Sequence, residues 1–119
     1  MTQEEQIKKI KAEERKLLQL FKDIPEKKRE VAKRIIKKAA YQCVMLDELQ
    51  EDIFKNGTYE MFQQGEKQTP YERQRPIVGT YTSMTSSYQK YMKQLTDLLP
   101  KETAAAGDGF EDFINDRKD

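Results

Sequence analysis

Between Pro76 and Pro100 the apolar positions fall at Ile77, Tyr81, Met84, Tyr88, Tyr91, Leu95 and Leu98, in alternating steps of four and three. That spacing lines one helix face with large side chains and predicts a helix over residues 76–99. Pro76 suits the first helical position, where its missing N–H has no partner to lose. Pro100 ends the run. A seam with three tyrosines and a methionine requires another helix to cover it.

A longer helix is predicted over residues 25–55, stopped by Asn56-Gly57. At 100° per residue, Val31, Ala32, Ile35, Ile36, Ala39, Cys43, Leu46, Leu49 and Ile53 share one half of its wheel. Lys27, Lys33, Arg34, Lys37 and Lys38 fall on the other half, which turns acidic further along with Asp47, Glu48, Glu51 and Asp52. The small residues Ala39, Ala40 and Cys43 permit close approach of a partner, and the tyrosine-bearing helix is the natural one.

Upstream, residues 3–22 read as a third helix with a stripe of Ile7, Ile10, Leu17, Leu18 and Phe21, and Glu4 and Glu5 suit its start. Asp23-Ile24-Pro25 breaks it, because the residue before a proline is pushed out of the α region. Asp23 or Ile24 is the expected cap of the next helix. Between the two later helices, Tyr59, Met61 and Phe62 precede Gln64-Gly65, and Thr69 and Tyr71 follow it. The pattern permits either a short β-hairpin, with Pro70 confining its second arm to an edge, or an ordered loop packed on the helix ends. The expected architecture is mainly α: a domain of residues 1–100 built on a long antiparallel helix pair. A flexible acidic tail of residues 101–119 follows, in which Ala104–Gly109 has linker composition and Phe110, Phe113 and Ile114 sit among four acidic residues. Such aromatic spacing suits docking on a partner or folding back on the domain.

Composition sharpens this. Charged and hydrophobic residues each make up 36% of 119 residues, which fits one strongly solvated helical domain with a modest core. No apolar run approaches a membrane span of about 20 residues, and residues 1–11 are too charged for a signal peptide. The single Cys43 provides no disulfide framework and suits a reducing cytoplasm. The net charge of +1 conceals an asymmetry. Lys and Arg outnumber Asp and Glu 13 to 7 in residues 1–40, and are outnumbered 14 to 9 thereafter. A basic front and an acidic back suit two binding surfaces, one for nucleic acid and one for protein, or simply a solvated exterior.

Catalytic chemistry is scarce. Without histidine there is neither a His-based triad nor a His metal site. Cys43 reads as a small core residue, and no phosphate-cradling glycine motif occurs. Asp47, Glu48, Glu51 and Asp52 form a solvated face before they form a cation site. No enzyme activity and no cofactor are expected; a small nucleic-acid-modifying enzyme is the weakest reading. Lys27, Lys28, Lys33, Arg34, Lys37 and Lys38 span about 17 Å of helix and suit salt-sensitive, sequence-independent phosphate binding.

The order of these features resembles a known family. Phe21–Pro25, Ala39-Ala40, Leu46–Gln50, Asn56-Gly57, Gln64-Gly65, Lys93–Pro100 and the terminal Phe-Glu-Asp-Phe segment together resemble the small terminase subunits of tailed phages and prophages of Gram-positive bacteria. The resemblance covers most of the chain and rests on no single diagnostic motif. It implies a non-catalytic packaging component that forms a homo-oligomeric ring, binds double-stranded viral DNA, and regulates the large terminase subunit in the host cytoplasm. Carried onto this chain, the Ile77–Leu98 helix and the apolar half of the second helix supply the oligomerising core, Lys27–Lys38 the DNA surface, and Phe110, Phe113 and Ile114 the large-subunit contact. One departure is that no N-terminal helix-turn-helix shows. The competing reading is a phage-encoded protein adaptor or inhibitor that does not bind DNA.

Overall fold

The computed structural model describes residues 2–100. Three helices and one hairpin follow in order: α1 (Gln3–Leu20), a 3-10 turn (Glu26–Lys28), α2 (Arg29–Asn56), β1 (Tyr59–Phe62), β2 (Tyr71–Gln74) and α3 (Pro76–Asp97). This is the mainly helical architecture expected, with strands in the segment left open between hairpin and loop. The tail of residues 101–119, with Phe110, Phe113 and Ile114, lies outside the described residues.

Local chemistry sets the helix ends. Thr2 opens α1, its hydroxyl accepting from the Glu5 N–H at 3.1 Å, while Glu4 and Glu5 complement the helix dipole as anticipated. Neither Asp23 nor Ile24 caps the next helix. Instead the Lys28 N–H donates to the Pro25 carbonyl at 2.9 Å, and the 3-10 turn leads into α2 without a side-chain cap. Ile24 turns inward, 1% exposed, and its carbonyl accepts from Arg29 Nε at 3.3 Å. The proline break is thereby fixed by burial of the residue before it. At the far end, Gly57 adopts φ +82°, a conformation side-chain-bearing residues avoid, and its N–H closes on the Ile53 carbonyl at 2.7 Å.

Helix α2 is about 42 Å long and packs against both α1 and α3. Gln6, near the start of α1, donates to both carboxylate oxygens of Glu48, near the end of α2, at 2.8 and 3.0 Å. At the other end Leu17 and Phe21 join Ala32 and Ile36 in one buried cluster, so α1 and α2 run antiparallel. Helix α3 returns to the same cluster through Leu95, with Tyr88, Tyr91, Met92, Leu98 and Leu99 packed around it. Ala39 and Ala40 are both fully buried. They lie 100° apart, and their small side chains let helices approach α2 on two sides.

Three residues assigned to apolar stripes face solvent instead: Ile7 is 45%, Leu18 44% and Val31 54% exposed. The hairpin pairs Tyr59 with Gln74, Glu60 with Arg73, Met61 with Glu72 and Phe62 with Tyr71. Alternation places Glu60, Phe62, Tyr71 and Arg73 on one face. There the Arg73 guanidinium lies 3.5 Å over the Phe62 ring and bonds Glu60 at 2.8 Å, while Phe62 meets Tyr71 edge-on at 5.9 Å. An isolated two-stranded hairpin is marginal in water, and these cross-strand contacts supply its support.

Candidate functional site

The basic segment begins in the 3-10 turn with Lys27 and Lys28 and continues on α2 with Lys33, Arg34, Lys37 and Lys38. All six are exposed. Arg29, in their midst, is turned toward the Ile24 carbonyl. Arg34 lies 3.9 Å from Glu30, with both side chains more than three-quarters exposed, a pairing worth little in water. Among the described residues Lys27, Lys28, Lys33, Lys37 and Lys38 form no salt bridge. Their position at the N-terminus of α2 adds the positive end of the helix dipole to the side-chain charges. The result is a positive surface with its donors directed at solvent.

Tyr41, overlooked in the sequence, belongs to this surface. It lies one turn beyond Lys37 and Lys38 and is 49% exposed. A phenol among lysines can donate to a phosphate or stack on a base. Its spacing of three and four from the two lysines was the available signal.

Three of the four acidic residues in the later half of α2 are already partnered. Glu48 accepts from Gln6, Glu51 pairs with Lys55 at 2.9 Å, and Asp52 meets Arg75 at 2.7 Å. Hydrogen bonds from Asn56 first and Arg75 next hold the Asp52 carboxyl below the usual aspartate range. No cluster of three or more His, Cys, Asp or Glu side chains suited to a metal occurs among the described residues. Cys43 sits half-buried where the three helices meet, against Tyr88 of α3 and close to Glu13 of α1 and Asp47. Burial, then the neighbouring Cys43, pushes the Tyr88 phenol up to about 12; burial, then the charge of Glu13, raises the Cys43 thiol as well. A thiol kept protonated is a poor nucleophile, which agrees with reading Cys43 as a packing residue.

The tyrosine seam divides. Leu95 is wholly buried within its own chain, so it presents nothing to a second subunit. Tyr88, Tyr91 and Leu98 pack beside it. Ile77, Tyr81 and Met84 are half-buried. The helix that covers the seam is α2 of the same chain, as its small residues suggested. Larger apolar exposure lies around the hairpin, where Phe54 is 89%, Met61 67% and Tyr59 57% exposed. Phe54, at the end of α2, has no periodic signal to mark it. Among the described residues no helix is long and apolar enough to cross a membrane. Comparison with known protein families, curated proteins and solved structures returns no match.

Proposed function

We propose that this chain is a non-catalytic DNA-packaging component of the terminase small-subunit kind, acting in the cytoplasm of a bacterial host. The carrying observation is the exposed, nearly unpaired basic surface of Lys27, Lys28, Lys33, Arg34, Lys37 and Lys38 at one end of a rigid three-helix frame. Lysines directed at solvent on such a frame neutralise phosphates without reading base edges. In this reading double-stranded viral DNA lies along the start of α2, with Tyr41 beside it. Copies assemble into a ring through the half-exposed part of the seam, Ile77, Tyr81 and Met84, and through the hairpin. Phe110, Phe113 and Ile114 engage the large terminase subunit.

The test is duplex binding by fluorescence anisotropy across a salt series, with the solution mass from light scattering. If six phosphates are neutralised, log K falls with log salt at a slope of about −5. Reversing Lys33, Arg34, Lys37 and Lys38 to Glu abolishes binding and leaves helicity and assembly unchanged. Equal affinity of that variant and the parent would remove this surface from the account.

A second reading is favoured by Phe54, Tyr59 and Met61, whose exposure exceeds that of the seam. Patches of that kind mark protein contacts. The adaptor reading predicts no duplex affinity even at low salt, and loss of partner binding on Phe54→Asp.

A further inference from the structure

One cleft between α1 and α2 differs from its neighbours in charge. It encloses about 280 Å³, with Phe21, Ile24, Ala32 and Ile36 at its apolar floor and Lys22 and Lys33 on its rim. No carboxylate lines it. A second cleft further along the same helix pair is lined by Glu13, Asp47, Glu48 and Glu51. Another, near the end of α2, carries Glu48, Glu51 and Asp52. A volume below about 300 Å³ is small for a metabolite and suits one or two inserted side chains. A ligand for the first cleft is therefore apolar at its core and acidic at its margins.

The chain carries such a segment. Phe110, Phe113 and Ile114 are interleaved with Glu111, Asp112 and Asp116. Leu98 and Leu99, just beyond the end of α3, pack on the same buried cluster that contains Phe21, Ile24, Ala32 and Ile36. The chain thus passes Pro100 beside the buried cluster to which the cleft's floor belongs. Nine residues separate Pro100 from Phe110, and a stretch of that length reaches up to about 30 Å. Packed helix axes lie about 8–10 Å apart, so the segment can cross α2 and enter the cleft.

We propose that, while no large subunit engages it, Phe110–Ile114 docks within its own chain into the α1–α2 cleft, with its aromatic rings on the apolar floor and Glu111 and Asp112 facing Lys22 and Lys33. Tethering gives the segment an effective concentration in the millimolar range, so a contact of modest intrinsic affinity is mostly formed. The other two clefts carry more carboxylates than cations, with Lys9 and Lys16 in one and Lys55 in the other, and so suit an acidic segment less well. Lys33 also belongs to the basic surface, so the docked segment competes with DNA for it. That consequence, unlike the docking, rests on the DNA-binding reading.

The full-length chain carrying Cys43→Ala and a spin label on Gly109→Cys tests the docking by NMR, its amide spectrum first confirming the parent fold. The expected result is selective broadening of the Leu18, Lys22, Ala32 and Lys33 amides. The triple change Phe110→Ala, Phe113→Ala, Ile114→Ala removes it, as does Lys22→Glu with Lys33→Glu. Broadening confined to residues near Pro100, broadening of the hairpin instead, or persistence in the triple variant overturns the proposal. Equal broadening in a mixture of labelled unenriched and unlabelled enriched chains overturns it too, assigning the contact to a second copy. In the DNA arm, the unlabelled triple variant binds a 30-base-pair duplex at least about threefold tighter than the parent at low salt. Parent and variant binding equally well overturns the competition. If neither binds, the DNA-binding reading falls, and the NMR result alone decides the docking.

Discussion

Arg75 reaches back 23 residues to place its guanidinium 2.7 Å from the Asp52 carboxylate, and it donates to the Gly57 carbonyl at 2.8 Å. One side chain thus ties the start of α3 to the end of α2 and closes the base of the hairpin. Its side chain is only 16% exposed, so the fork is held rather than waving in solvent. Replacing Arg75 by Ala is expected to lower hydrogen-exchange protection at Tyr59–Phe62 and Tyr71–Gln74 while leaving the amides around Ala39 and Ala40 protected. Lys at this position restores charge without the two-pronged geometry and gives an intermediate result. Uniform loss of protection through all three helices would show that Arg75 supports the whole domain.

The same contact sets an acid dependence. Asp52 is held below its ordinary value, so its ionised form is the one that the fold favours. Its contribution is fully present above about pH 4, where the unfolded carboxyl is also ionised, and is lost as pH falls through the lower folded value. Asp52→Asn is expected to flatten the stability profile below about pH 4 relative to the parent, measured by urea unfolding at a series of pH values.

Gly57 closes α2 in a backbone region that is nearly glycine's alone, yet a Cβ built there meets no atom within 4 Å. Gly57→Ala is therefore expected to destabilise the domain by about 1–3 kcal/mol through strain alone. A change below about 0.5 kcal/mol in chemical denaturation would mean that the loop relaxes to a negative φ.

Much of this frame was legible in the residues. Proline at the first position of α3, Asn56-Gly57 after α2 and the step of three and four along the seam each have a local physical cause, and each stands where expected. The antiparallel pair follows from large side chains on α3 facing small ones on α2. Periodicity assigns a residue to a face but does not say how far the neighbouring helix extends over it. Ile7, Leu18 and Val31 lie on the correct stripes and are nevertheless exposed. Capping before α2 was misplaced because burial of Ile24, a tertiary effect, decided the conformation there. Of the candidate site, Lys27, Lys33, Arg34, Lys37 and Lys38 were plain from the wheel, whereas Lys28 falls among the apolar positions there and is exposed in the 3-10 turn. Tyr41 and Phe54 were not, since a single exposed aromatic leaves no repeating pattern.

The Tyr88–Cys43 junction gives an alkaline counterpart to Asp52. Tyr88 ionises at about 12 in the folded chain, above the ordinary phenol, so the fold favours its neutral form. The stabilisation is complete below about pH 10 and is lost as pH rises from there through the folded value. Absorbance at the phenolate band is expected to show one of the six tyrosines titrating last, and Tyr88→Phe removes that final step. Cys43 should react slowly with a disulfide reagent at pH 8 in the native chain and quickly in urea, because burial first, and then the charge of Glu13, holds its thiol protonated. Rapid native labelling would mean that the junction opens.

Single lysine replacements separate phosphate contacts from base recognition on the proposed DNA surface. Lys37 is exposed, makes no salt bridge among the described residues, and lies one turn before Tyr41. Lys37→Ala removes one neutralising charge, so the salt slope of duplex binding is expected to fall by about 0.9, with equal loss of affinity for unrelated sequences. Tyr41→Phe keeps the ring and removes the donor, and it lowers affinity without changing the slope if the hydroxyl contacts a phosphate. A loss that differs strongly between two duplex sequences would instead place these side chains against base edges. Such discrimination is worth about 1–3 kcal/mol per good contact.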